Sequence, residues 1–156
     1  MKHSAGIALY YRGKLLLVHP TGSSWWGTYS IPKGEFNPNK EEPLFAGLRE
    51  LYEETGIELS ADMFNEQRII EYRKNKGKGK KYKILYWFFV DLSLDDIKSR
   101  FPSFPKLKKS NLQLEEVDWG GFVNIDEARK RMFWRQYPIL EFCKTYEESK
   151  RTFNSN

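Results

Sequence analysis

The sequence predicts one domain that mixes β-strands and α-helices, of the α/β or α+β class. The chain has 156 residues, of which 40% are hydrophobic and 16% aromatic, enough to bury one core and too apolar for a disordered chain. Segments with strand character alternate with segments of helical character, and no repeat or linker divides them. We therefore expect one domain over residues 1–150, followed by a polar tail over residues 151–156.

Local signals predict the elements of the first third of the chain. Strands at 6–11 and 15–18 are joined by a hairpin turn at Arg12 and Gly13. Residues 20–40 contain three prolines and three glycines, which indicates an ordered loop with a brief strand at 28–31. The clearest helix spans 43–55, because Pro43 suits the first helical position and Gly56 follows the end.

The rest of the chain predicts three more strands and two helices. Strands at 67–72 and 82–90 flank residues 73–81, which are rich in Lys and Gly and indicate a flexible hairpin tip. Residues 93–112 contain two prolines and four lysines and predict an irregular excursion. A strand at 117–123, a short helix at 126–132 and a terminal helix at 138–150 complete the prediction.

The composition excludes several classes of protein. The single Cys143 cannot form an internal disulfide, and the longest apolar run, residues 84–90, is far below the roughly 20 residues of a membrane span. Arg12 and Lys14 interrupt the first apolar segment, so we expect no signal peptide, no membrane association and a cytoplasmic protein. The net charge is +5, and seven of the eleven residues 73–83 are Lys or Arg, which favours a partner that carries phosphates.

The helix at 43–55 has an unusual distribution of charge. At about 100° per residue, Glu50, Glu53 and Glu54 fall on one side, together with the small Ala46 and Gly47, which should leave open space one turn before the acids. The opposite side is predicted to be buried and carries five large apolar residues: Leu44, Phe45, Leu48, Leu51 and Tyr52.

The three acids of this helix oppose local stability. Like charges on neighbouring turns repel, and the C-terminal end of a helix disfavours anions. A bound divalent cation would remove both conflicts, and Mg²⁺ prefers carboxylate oxygens. The alternative is an acidic face that is simply solvated.

The segment around this helix resembles the Nudix box, Gly-x5-Glu-x7-Arg-Glu-U-x-Glu-Glu-x-Gly-U, where U is aliphatic. Glu41 and the run from Arg49 to Ile57 match its second part in full. The first part departs, since six residues instead of five separate Gly34 from Glu41. Without an insertion Lys40 would take the glutamate position, but a longer loop keeps the spacing from Glu41 to Arg49.

The resemblance extends along nearly the whole chain. Segments 4–7, 15–20, 31–35, 116–119 and 125–128 are similar to the Nudix subgroup described as predicted NTP pyrophosphohydrolases. Membership would imply an α/β/α sandwich around a mixed β-sheet, with the box forming a loop-helix-loop. It would also imply Mg²⁺-dependent hydrolysis of nucleoside diphosphate derivatives, with Mn²⁺ as a substitute metal.

The resemblance assigns roles to the box residues. Glu53 and Glu54 would be the principal metal ligands and Glu50 a further one, assisted by the carbonyl of Gly34. Arg49 would orient the carboxylates as a bidentate partner, which lysine could not do equally well. An ordinary surface ion pair of Arg49 is the alternative.

The catalytic base and the substrate contacts have several candidates. The base is either Glu53 or a glutamate of the loop before the last strand, Glu115 or Glu116, and we retain Glu116 as the catalytic residue of that loop. Lys33 would contact a phosphate or be merely exposed. Among the aromatic residues before the box, Trp26 and Tyr29 would stack on a base, and the alternative is a place in the core or at its rim.

Three functions compete at this stage. The first is hydrolysis of nucleoside triphosphates, and the second is hydrolysis of dinucleoside polyphosphates or diphosphoinositol polyphosphates, whose charge suits the lysines. A binding module without turnover, for a nucleotide or for RNA, is the third, but the complete box favours an enzyme. The lysines of residues 73–81 would raise the encounter rate with anions or simply aid solubility. Both a monomer and a homodimer fit the sequence.

Overall fold

A mixed sheet of six strands forms the centre of the computed structural model, which describes residues 1–76 and 79–154, without the side chains of 74–81, 153 and 154. The strand order is β4-β5-β1-β2-β6, and β3 pairs with β1 beside this path. The strands are β1 (Lys2–Tyr11), β2 (Lys14–Pro20), β3 (Lys33–Glu35), β4 (Gln67–Lys76), β5 (Gly79–Asp91) and β6 (Val117–Asn124).

Within the described residues, four α-helices pack around the sheet. They are α1 (Pro43–Thr55), α2 (Leu94–Arg100), α3 (Ile125–Arg131) and α4 (Tyr137–Asn154). β1 runs parallel to β5, whereas the other pairs are antiparallel. Leu51 of α1 packs with Ile7 and Leu16 in one apolar cluster, and Ile139 and Leu140 of α4 pack with Leu15 and Leu17 in another. Since neighbouring residues of β2 enter opposite clusters, the sheet lies between helices, as predicted.

The contact between α1 and the sheet corrects the predicted orientation of this helix. Ala46 is fully buried, and a Cβ added to Gly47 would lie 3.1 Å from Cδ1 of Ile7. The small residues therefore allow close approach to β1 and do not leave open space. Phe45 and Tyr52, predicted to be buried, are more than half exposed.

Two segments differ from their predicted strand and loop boundaries. Residues 28–31 form only isolated bridges, Val18 with Ser30 and Tyr29 with Met132. The strand of this region is β3, which begins after Pro32, a residue that lacks a backbone N–H. The predicted hairpin tip at 73–81 is largely strand, since backbone pairing continues to Lys76 and Gly79. Residues 77 and 78, and the lysine side chains of this tip, lie outside the described residues.

Helix α2 lies in the stretch predicted to be irregular. The Ser93 side chain accepts a hydrogen bond from the Asp96 N–H, and the Asp96 carboxylate accepts one from the Ser93 N–H. This reciprocal capping is a sequence signal for a helix start, and Ile97 anchors the helix in the core.

The C-terminal helix is longer than predicted. It continues to Asn154, so the expected tail is helical over 151–154. None of the helices within the described ranges has the length and apolar character to cross a membrane.

Candidate active site

Three carboxylates converge at the end of α1. Glu50, Glu54 and Glu116 each offer an oxygen, and these oxygens lie within 4.8 Å of one another. The first two occupy successive turns of α1, and the third comes from the loop that precedes β6. We call this group the carboxylate cluster.

Burial makes the carboxylate cluster electrostatically costly. Glu54 is only 5% exposed, and its Oε2 atom has no hydrogen-bond partner. Burial first, and then the charge of Glu50, raises the pKa of Glu54 to about 8. Burial also raises the pKa of Glu50. A buried, unpartnered oxygen beside two further carboxylates suits a hard divalent cation.

Residues of β3 lie against the carboxylate cluster. A Cβ added to Gly34 would lie 2.0 Å from Cδ of Glu50, so only glycine allows the carboxylate to lie against this strand. The positive charge of Lys33 partly offsets the rise in the pKa of Glu54. The predicted candidates Gly34 and Lys33 therefore both lie beside the box carboxylates.

Arg49 connects the remaining acids of the box. Its Nε and Nη2 atoms donate to the two oxygens of Glu41, at 2.9 and 2.8 Å. Its Nη1 atom donates to Glu50 at 3.0 Å and to Glu53 at 3.1 Å. These partners raise the pKa of Arg49, and Arg49 lowers that of Glu41. The longer loop before the box thus still delivers Glu41 to Arg49.

Glu53 differs from the other two glutamates of the helix. Its side chain is half exposed and paired with Arg49, and it is not among the residues of the carboxylate cluster. The structure thus brings Glu50, Glu54 and Glu116 together, whereas Glu53, a predicted principal ligand, lies at the side of that group.

Backbone hydrogen bonds hold the loop that carries Glu116. The Gln113 N–H donates to the Glu54 carbonyl at 3.0 Å, and the Thr21 N–H donates to the Glu116 carbonyl at 3.0 Å. The loop is therefore tied both to the end of α1 and to the end of β2. Of the two neighbouring candidates, only Glu116 joins the cluster, and Glu115 does not.

The two aromatic candidates have different environments. Trp26 is 62% exposed, and the guanidinium of Arg131 lies 5.5 Å from its ring. Tyr29 is 1% exposed and its hydroxyl accepts a hydrogen bond from Arg131. Tyr29 therefore has no ring face free for a base. Sequence reasoning missed Arg131, because the run Arg129-Lys130-Arg131 does not indicate which cation turns inward.

Comparison with known proteins decides the family. A family model for the NUDIX domain matches residues 1–143. The chain belongs to the NUDIX domain family. The match includes the whole box and the loop with Glu116, and it identifies the protein as a Nudix pyrophosphohydrolase enzyme. Among curated proteins, no sequence matches the chain significantly.

Several solved structures share the fold at low sequence identity. An Ap4A hydrolase of C. elegans, in a binary complex, has a TM-score of 0.66 and 18% identity, covering 96% of this chain and 99% of that one. The E. coli ORF135 protein has a TM-score of 0.63 and 21% identity, covering 96% and 92%. The NUDIX domain of Shewanella oneidensis NrtR, complexed with ADP ribose, has a TM-score of 0.61 and 14% identity, covering 92% and 86%.

Proposed function

We propose that this Nudix protein hydrolyses a phosphoanhydride bond in nucleoside diphosphate derivatives, with nucleoside triphosphates as the first substrates, and that it requires Mg²⁺ or Mn²⁺. The carboxylate cluster carries this proposal, above all the buried Oε2 atom of Glu54 that has no protein partner. Such an oxygen is stable as an anion only beside a cation. Stability of the fold alone would not favour three neighbouring carboxylates at the end of α1.

The metal would be held mainly by Glu50, Glu54 and Glu116, with Glu53 and the carbonyl of Gly34 at the edge of the site. When bound, Mg²⁺ neutralises phosphate charge and lowers the pKa of coordinated water. Arg49 keeps Glu50 and Glu53 in fixed orientations through its hydrogen bonds. The chain thus supplies a rigid set of oxygen ligands on one helix and one tethered loop.

We assign the catalytic base to Glu116. Its carboxylate belongs to the cluster and its side chain is exposed, so an attacking water can reach it and transfer a proton to its oxygen. Glu53 suits this role less well, because both of its oxygens accept hydrogen bonds from Arg49, at 3.1 and 3.2 Å.

Two residues outside the box are proposed to bind substrate. Lys33 lies close enough to Glu54 for its charge to lower the pKa of that carboxyl, so it can contact a phosphate held at the cluster. Trp26 offers an exposed ring for a base. Tyr29 supports this region by packing, since it is buried and bonded to Arg131.

A panel of nucleotides, incubated with Mg²⁺ in isotopically labelled water, tests the proposal. We expect turnover that depends on the metal, with the label in one phosphate product, which also identifies the phosphorus that is attacked. Absence of turnover for every nucleotide, with either Mg²⁺ or Mn²⁺, would contradict an enzyme and favour the non-catalytic binding module.

A further inference from the structure

A cavity of about 220 Å³ lies beside the C-terminal end of α1. Residues 55–58, which include the last residue of α1, line one side of it, and residues of the segment 100–111, which follows α2, line the other. We call it the basic cavity. None of the three residues of the carboxylate cluster lines it, so this cavity is distinct from the active site.

Positive charge predominates in the lining of the basic cavity. Arg100, Lys106 and Lys108 line it, against a single carboxylate, that of Glu58. The sequence around the cavity has the same bias, since residues 97–114 contain five basic residues and no acidic one. A concave site with an excess of positive charge favours an anion.

Most hydrogen-bond donors of the lining are not used within the protein. Arg100 donates through Nη1 to the Glu58 carbonyl at 2.7 Å, which orients the guanidinium and leaves its other N–H groups available. Neither Lys106 nor Lys108 forms an ion pair with a described carboxylate. Among the described residues, the Ser103 hydroxyl has no hydrogen-bond partner either. The cavity therefore offers several free donors, which a phosphate group requires.

Backbone hydrogen bonds hold the wall that carries these cations. The Lys106 N–H donates to the Ser103 carbonyl at 3.1 Å, and the Leu107 N–H donates to the Gly120 carbonyl of β6 at 2.9 Å. Phe101, next to Arg100, is buried in the core. Because the backbone of the wall is already ordered, little conformational entropy has to be lost there when a ligand binds.

The end of α1 opposes an anion less than a free helix end does. Carbonyl groups at the C-terminus of a helix carry partial negative charge and repel anions. Here the Tyr52 carbonyl accepts a hydrogen bond from the Gly56 N–H at 2.8 Å, and the Glu54 carbonyl accepts one from the Gln113 N–H at 3.0 Å. These bonds reduce the negative potential of the helix end, so the cations remain the main influence on a ligand.

The size of the basic cavity indicates the kind of anion. A volume of about 220 Å³ has room for several water molecules, and therefore for two linked phosphate groups. A pyrophosphate group brings several negative charges into this space, whereas a strand of nucleic acid presents one charge per nucleotide. Three cations around one small cavity match the first arrangement better than the second.

We propose that the basic cavity is a second anion site, which binds a pyrophosphate group, free or as part of a small molecule, through Arg100, Lys106 and Lys108. Such binding does not depend on the proposed function, because it requires neither a metal at the carboxylate cluster nor turnover of a nucleotide.

Calorimetric titration of the full chain with inorganic pyrophosphate in metal-free buffer tests this proposal. Without metal, the carboxylate cluster repels anions, so we expect one pyrophosphate bound per chain, at the basic cavity. Lys106→Gln and Lys108→Gln should each weaken binding by roughly fivefold or more, because a charge-assisted contact is lost. Lys109→Gln is the matched control. This neighbouring lysine is exposed and does not line the cavity, so its loss should change the affinity by less than about twofold.

Nuclear magnetic resonance locates the bound pyrophosphate. The backbone amide signals of Gly56, Ser103 and Asn111, which line the basic cavity, should shift during the titration. The signal of Gly34, which lies against Glu50 of the carboxylate cluster, should stay in place. Shifts around Gly34 without shifts at the cavity would place the anion in the active site and overturn the proposal.

Three further results would overturn the second anion site. One is the absence of pyrophosphate binding to the wild type, and another is an equal loss of affinity in Lys108→Gln and Lys109→Gln, which would indicate general surface charge. The third is tighter binding of a single-stranded oligonucleotide without terminal phosphates than of pyrophosphate, which would assign the basic segment to nucleic acid. Loss of nucleotide turnover in the wild type would contradict only the proposed function.

Discussion

Arg49 and Arg135 are both half-buried arginines, but their surroundings are opposite. Arg49 donates to three carboxylates of the active site, whereas Arg135 lies between two aromatic rings without an ion pair in the described chain. The first charge is neutralised within the protein and orders the acids. The second packs against aromatic rings. The same residue type thus orders acids in one region and contributes to aromatic packing in the other.

The largest expected effect concerns the acids that Arg49 orders. Glu54→Gln should lower kcat by about two orders of magnitude or more for every nucleotide, since it removes a charge that acts on the transition state. Circular dichroism should show an unchanged fold. This loss should not depend on the number of phosphates in the nucleotide. Turnover near the wild-type level would remove Glu54 from the mechanism.

Glu116→Gln should have the next largest effect, about tenfold to a hundredfold on kcat. If Glu116 accepts the proton of the attacking water, Gln cannot replace it, because an amide side chain is not a base. The variant should also need more Mg²⁺ for half-maximal activity, because Glu116 belongs to the cluster. Glu115→Gln is the control, and a wild-type kcat in Glu116→Gln would return the role of base to α1.

Arg49→Lys tests positioning directly. We expect kcat to fall by roughly tenfold for ATP and diadenosine tetraphosphate alike, because lysine cannot make the bidentate contact with Glu41. Glu41→Gln should produce a smaller loss in the same direction. A rise in KM for diadenosine tetraphosphate only would show that Arg49 binds the substrate and does not order the acids.

The smallest effect is on stability without metal. The pKa of Glu54 is raised from 4.5 to about 8 by folding. The folded state therefore holds this proton more tightly than the unfolded state. The loss in the free energy of unfolding that Glu54 causes grows as pH rises from 4.5 through 8. In EDTA, Glu54→Gln should raise the Tm by about 5 °C at pH 9 and hardly at all at pH 4. Glu53→Gln, an exposed control, should show no such trend with pH.

The sequence predicts the box helix well, but not the orientation of that helix. Pro43 and Gly56 mark the ends of α1 as observed, because their backbone restrictions act locally. Its apolar periodicity places Phe45 and Tyr52 in the core, whereas the helix buries Glu50 and Glu54. Functional sites often depart from ordinary apolar patterning. The observed orientation also brings Gly47 close to β1, a tertiary contact that has no local sequence signal.

Residues brought in from distant segments are harder to predict. The choice between Glu115 and Glu116 depends on the tethers of Gln113 and Thr21 to other elements, which have no local signal. The surroundings of Arg135 are equally hard to predict, since no residue near it in the sequence indicates that its guanidinium lies over the Tyr72 ring. The resemblance to the box locates the acidic site, but the surroundings of Glu116 and Arg135 depend on tertiary contacts.

Binding of Mn²⁺ to the free protein, followed by electron paramagnetic resonance, tests the central claim most directly. If Glu50, Glu54 and Glu116 form the metal site, each Gln variant should weaken Mn²⁺ binding by about tenfold or more. Glu53→Gln should weaken it less, because Glu53 pairs with Arg49. The greatest loss in Glu53→Gln, with wild-type affinity in Glu50→Gln and Glu116→Gln, would contradict the account.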